Sequence, residues 1–125
     1  MVSPPLATDE AEHPIPIELR SIFSQIVDAW VAGGYRLRSV ALNEVETLDR
    51  DLADGIASNI QDYEAELVPL HPDVWKRSCY NRQEGRWQAI IDLTTKEEAV
   101  SDLAIHADLF LDPELRIKVW SVHVP

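Results

Sequence analysis

The chain has 125 residues, too few for two domains that each bury a substantial core, so it reads as one domain. Its hydrophobic fraction of 46% with four tryptophans argues against disorder, and its single cysteine, Cys79, excludes an intramolecular disulfide. A net charge of −11 repels phosphate backbones, which argues against nucleic acid and anionic membranes as partners and favours encounter with a basic protein.

Residues 1–14 hold Pro4, Pro5 and Pro14 with few large apolar groups, and are expected to form a flexible tail ahead of a single α+β domain over 15–125. Met1–Pro5 shows neither a basic segment nor a long apolar one, so no secretory leader is read there. No apolar run approaches the roughly 20 residues that span a bilayer, and a cytoplasmic protein is the expectation.

From Pro16 onward, Leu19, Ile22, Phe23, Ile26, Val27 and Trp30 recur at three- and four-residue spacings and predict an amphipathic helix ended by Gly33-Gly34. Tyr35–Arg38 alternates briefly and fits either a short edge strand or a loop. Asn43 with Glu46 three residues on has the form of a helix start, after which Leu48, Leu52, Ile56, Ile60, Tyr63 and Leu67 predict a second helix, weakened at Gly55. Asp51, Asp54, Ser58 and Asp62 fall together on its far side, either as a solvated face or as a face that docks a partner.

Beyond Pro69 and Pro72 the period changes to two. A strand from Trp75 to Asn81, a hairpin turn from Asn81 to Gly85, and a return strand carrying Trp87, Ala89, Ile91 and Leu93 on one face make a hairpin. Leu103 to Leu111 makes a third strand, Asp112-Pro113-Glu114 a turn, and Ile117 to Val124 a fourth, with a bulge or a doubly buried stretch at Val119-Trp120. The expected architecture is two N-terminal helices packed on a four-stranded antiparallel meander. Gln88, His106 and Asp108 would lie on the face turned away from the helices.

Between the second and third strands, Thr95 and Glu98 have capping-box spacing, so 96–100 is expected to be a single helical turn. Asp92, Thr95, Ser101 and Asp102 then serve as structural residues at strand ends and turn. Trp87, Ile90-Ile91-Asp92-Leu93, Thr95, Glu97-Glu98, Ser101-Asp102-Leu103 and the closing His123-Val124 resemble a family of small bacterial domains of unknown function. The resemblance covers roughly residues 75–124; Ala99-Val100 departs from the glycine that often follows Glu-Glu there. It implies no established activity, although some such domains look like immunity proteins encoded beside toxins.

Charge is unevenly spread. Residues 39–75 carry nine acids against Arg50, residues 76–91 carry Lys76, Arg77, Arg82 and Arg86 against Glu84, and residues 92–114 carry seven acids against Lys96. His13, His71, His106 and His123 lack zinc-pair spacing, although His106 and His123 sit on strands where they can meet. No phosphate loop is seen, and neither a metal, a cofactor nor a catalytic residue is assigned. Cys79 reads as a small hydrophobe whose pKa Arg77 would lower. Asp92 and Asp102 would make a carboxylate pair only by converging in space.

These features point to a non-catalytic acidic module that binds a basic protein, most concretely an immunity-like inhibitor of a basic toxin. Asp51, Asp54, Asp62, Glu97 and Glu98 would steer the partner, and Trp75, Arg77, Tyr80, Arg82 and Trp87 would anchor it. The alternatives are a small-molecule-binding or enzymatic domain with a nuclear-transport-factor-2-like pocket lined by His106, Asp108 or Tyr80, and a homodimer joined through the open sheet face.

Overall fold

The computed structural model describes residues 6–125. The Met1–Pro5 portion of the expected tail lies outside the described residues. In chain order the elements are β1 (His13–Pro14), α1 (Ile17–Val31), α2 (Arg50–Asp62), β2 (Leu67–Val68), a 3₁₀ helix (Pro72–Lys76), β3 (Cys79–Gln83), β4 (Arg86–Asp92), β5 (Thr94–Thr95), β6 (Ala104–Phe110) and β7 (Arg116–His123). The protein is α+β, with two α-helices and a main sheet that is antiparallel throughout.

The sheet departs from the expected four-stranded meander. Its order is β1-β3-β4-β6-β7, five strands rather than four, and β2 pairs with β5 in a separate two-stranded ribbon. The fifth strand comes from the segment expected to be a tail, where His13 pairs with Tyr80 and Pro14 with Cys79. A proline is suited to this place because an edge residue can spare its N–H.

In α1 the apolar stripe buries Leu19, Ile22, Phe23, Ile26, Val27 and Trp30. Its end is a Schellman motif: Gly33, at φ 91°, donates to the Trp30 carbonyl and Gly34 to that of Ala29. The second helix begins later than Asn43. Asp49 is its N-cap, accepting from the Leu52 amide at 2.8 Å, and Ala53, Ile56 and Ile60 face inward. Residues 44–46 instead lie along the outer edge of β7, where Ile117 donates to the Glu44 carbonyl and accepts from the Glu46 amide. Asn59 of α2 adds a side-chain bond to the Val122 carbonyl at 2.8 Å. Together these bonds occupy backbone groups on the β7 edge that would otherwise invite another strand.

Trp75 belongs to the 3₁₀ helix rather than to a strand, because Pro72 opens that helix and the His71 side chain caps it at the Asp73 amide. The meander's first strand therefore begins at Cys79, and it runs on to Gln83, paired with Arg86, so the hairpin turn is only Glu84-Gly85 rather than Asn81–Gly85. Residues 96–100 form no helical turn either. Thr95 and Glu98 exchange backbone bonds across a tight turn, which the Thr95 hydroxyl reinforces by accepting from the Glu98 amide.

One core fills the space between the helices and the sheet. The sheet contributes Trp87, Ala89, Ile91, Ile105, Leu109, Ile117 and Val122 to it, against Phe23, Ile26, Trp30, Ile56 and Ile60 from the helices. Tyr80 lies in this layer. By their register, His106 and Asp108 lie on the opposite face with Gln88 and Ile90.

Candidate functional site

The strand registers fix the outer face of the sheet. Cys79, Ile90, His106 and Ser121 form one row across the strands, and Asn81, Gln88, Asp108 and Lys118 form the next. A bulge at His106/Ala107 inserts Trp120 into β7, a residue left 38% exposed. The His106 and His123 rings stack 3.8 Å apart between centroids and 2° from parallel, with the Trp120 ring 5.3 Å from His106. Ser121 hydrogen-bonds to Nδ1 of His123 at 2.7 Å, whereas Nε2 of His106, on a residue 5% exposed, meets no hydrogen-bond partner. Burial, and then the neighbouring His123, hold the His106 pKa below its ordinary value.

At the end of this face where β4 stops lies a groove of about 470 Å³, lined by Glu12, Arg77, Cys79, Ile90, Asp92, Asp102, Val124 and Pro125. Arg77 directly follows the 3₁₀ helix. Its Nε donates to Asp92 at 2.8 Å and an Nη to the Ser101 carbonyl at 3.0 Å, with Asp102 4.0 Å away. Asp92 is buried, and the hydrogen bond and charge it offers raise the Arg77 pKa further. The Asp92 amide in turn donates to the Ser78 hydroxyl at 3.0 Å. Cys79 lies beside Glu12 at 3.5 Å. Its thiol is pushed up to about 11 by burial and then by the Glu12 charge, the reverse of the lowering by Arg77 that its sequence position had led us to expect. The groove thus presents a fixed guanidinium among carboxylates and a protonated thiol, an arrangement for gripping charged groups.

The other residues singled out in the sequence are dispersed. Asp51, Asp54 and Asp62 line the exposed side of α2, in the layer on the other side of the sheet from the groove. Trp75 is half-buried, with the Arg20 guanidinium 5.6 Å from its ring. Tyr80 and Trp87 are buried and turned toward the core, each bonded to Ala7, and Arg82 covers the Trp87 ring at 4.4 Å. Glu97 and Glu98 are exposed. Thr95 is buried in its turn, and the fully buried Ser101 ties the 93–103 loop together by donating to the Leu93 carbonyl at 2.7 Å.

One contact joins two acidic regions that sequence treats as separate. Tyr63, just past α2, donates its hydroxyl to Glu98 at 2.9 Å and accepts from the Asp102 amide at 3.2 Å. The contact brings Glu98 and Asp102 to the C-terminal end of α2, where Asp62 and Glu64 flank Tyr63 in the chain. The sequence places Tyr63 only on a helix face; its hydroxyl gives no sequence signal of where it points. Trp120 and Glu12 likewise carry no sequence signal of a site, the first because a bulge decides its direction.

Among the described residues no helix is long and apolar enough to cross a membrane, and no three histidine, cysteine or acidic side chains are grouped to hold a metal. Residues 27–125 match a family described as a domain of unknown function, DUF7668, and the chain belongs to that family. No curated protein and no solved structure matches the chain.

Proposed function

We propose that this DUF7668 member is a non-catalytic module that binds a basic protein through its acidic surface, acting as an immunity-like inhibitor that occupies a toxin's basic cleft. The observation that carries this reading is the Tyr63 bridge, which merges the acidic end of α2 with the acidic 97–102 loop. A field assembled from several exposed carboxylates steers a cationic partner and raises its rate of encounter. The residues expected as aromatic anchors support it less, because Tyr80 and Trp87 are buried. Arg77, Asp102 and the groove supply the alternative contacts. No activity in the family informs the choice, so the partner is defined by chemistry: a soluble protein with a concentrated positive face.

The test is binding of the purified chain to the product of the adjacent gene by biolayer interferometry at low and high salt. Lysozyme, a basic protein of unrelated shape, serves as control. Saturable binding that weakens with salt, is lost on Glu98→Lys with Asp62→Lys, and is not matched by lysozyme is the expected result. Binding indifferent to salt and to both substitutions, or no binding, rejects the proposal.

A further inference from the structure

The groove where β4 stops sets one cation among an excess of acid. Asp92 is buried and bonded to Arg77, and these two charges offset each other. Glu12 and Asp102 remain. Among the described residues Glu12 has no cationic partner, and Asp102 has only the same guanidinium at 4.0 Å. Lys76, next to Arg77 in the chain, is engaged by Asp73 at 3.3 Å. The guanidinium also keeps donors to spare. Its bonds to Asp92 and to the Ser101 carbonyl use Nε and Nη2, and Nη1 makes no hydrogen bond, on a side chain 58% exposed. Spacing within the groove follows from the sheet. Glu12 lies against Cys79, whose partner across the strands is Ile90, and Asp92 is two residues further along β4, a step of about 7 Å. Ile90 and the exposed Val124 supply the apolar part of the wall.

We propose that this groove is a binding site for a free dibasic amino acid of the lysine type. The ligand's carboxylate meets the unspent Nη1 of Arg77, the group in the groove that attracts an anion. Its α-ammonium, adjoining that carboxylate, meets Asp102. Its side-chain ammonium reaches Glu12 about one row of the sheet away, a span that suits a four-carbon stem. The methylenes of that stem lie on Ile90 and Val124. A ligand with two ammonium groups and one carboxylate thus carries net positive charge into a groove that holds three acids against Arg77. A plain diamine would leave Arg77 facing only cations, and a dicarboxylate would be repelled by Glu12 and Asp102. The groove's 470 Å³ falls within the range of roughly 300–1,000 Å³ usual for small-molecule sites.

The experiment is a titration of the full ¹⁵N-labelled chain, followed by amide chemical shifts at constant ionic strength, to roughly 10 mM ligand, above the usual range for metabolites. The probes are L-lysine, cadaverine, which lacks the carboxylate, and L-norleucine, which lacks the side-chain ammonium. L-lysine is expected to give saturable shifts at Cys79, Ile90 and Asp92, and to bind at least roughly tenfold more tightly than either analogue, since each analogue forfeits a charge-assisted contact. Glu12→Gln and Asp102→Asn, at exposed positions whose folding circular dichroism verifies, should each weaken L-lysine. Glu12→Gln should in addition narrow the gap between L-lysine and L-norleucine. No saturable shift with L-lysine, equal binding of cadaverine, equal binding of L-norleucine, or indifference to both substitutions would each overturn the proposal. No protein partner is present, and the substitutions that test partner binding, at Glu98 and Asp62, lie outside the groove, so the two readings fail separately.

Discussion

Trp87 donates its indole N–H to the carbonyl oxygen of Ala7 at 2.8 Å, and Ala7 returns its own N–H to the hydroxyl of Tyr80 at 2.8 Å. Two aromatic residues on a hairpin thus grip one residue of a segment more than seventy positions earlier. Their polar groups are committed within the chain, and with them the segment that supplies β1.

Replacing Trp87 with Phe keeps most of the ring in the core and removes the donor, leaving the Ala7 carbonyl without its partner. The expected loss is about 1 kcal/mol in urea denaturation, the usual net worth of such a bond. Tyr80→Phe should cost a similar amount. Since both bonds hold the same residue, the double variant should lose less than the sum of the two. Strictly additive losses would show that Ala7 is not held jointly.

Arg77 spans three pieces of chain: it bonds to the side chain of Asp92 and the carbonyl of Ser101, and approaches Asp102. Its own side chain is 58% exposed, so solvent screens much of the pair's charge. The cost of removing it falls on Asp92, whose side chain is only 8% exposed. Arg77→Ala should therefore destabilise by about 1–3 kcal/mol, the penalty for a buried polar group left unmatched. Arg77→Lys keeps the charge but cannot reach both partners with a planar fork, and should fall between. Equal stability of Arg77→Ala and wild type in chemical denaturation would dismiss the claim.

Gly55 lies inside α2 with nothing within 4 Å of where a Cβ would stand and with no positive φ. A methyl group there meets no clash and lowers the entropy of the unfolded chain. Gly55→Ala should stabilise the protein by about 0.5–1 kcal/mol, seen as a raised melting temperature. Gly85 provides the contrast: at φ 75° it ends the β3–β4 hairpin turn, and the same substitution there should destabilise despite equally open space.

Local patterns explain what was legible in the sequence. The stripe from Leu19 to Trp30 and the alternation from Trp87 to Leu93 both face one core, so periodicity alone identified helix and strand. Asn43–Glu46 has a helix-start spacing, yet its backbone is bonded to Ile117, more than seventy positions away, and no local signal records that. Thr95 and Glu98 misled for a subtler reason. The hydroxyl-to-amide bond that caps a helix also closes a tight turn, and the pairing of Thr94–Thr95 with Leu67–Val68 selects the turn. The Arg77 groove and the Tyr63 bridge depend on side chains meeting across elements. Periodicity and composition supplied the participants at Arg77, Asp92, Asp102 and Glu98 without their geometry.

His106 carries the last prediction. Its ring is buried against His123 and Trp120, and its pKa is lowered from 6.5, first by burial and then by the His123 charge. As pH falls, the unfolded chain takes up a proton at this residue before the native state does. In that window the unfolded state binds more protons, so stability rises with pH and is fully present above about 6.5. It is lost progressively as pH falls from the unfolded value toward the lower folded one. His106→Phe retains a flat ring over His123, removes the unpartnered Nε2 and titrates in neither state. Its melting temperature should fall less than that of the wild type between about pH 7.5 and about pH 5, the carboxylates shared by both proteins cancelling in the difference. An identical fall in the two proteins would mean that His106 does not drive this loss.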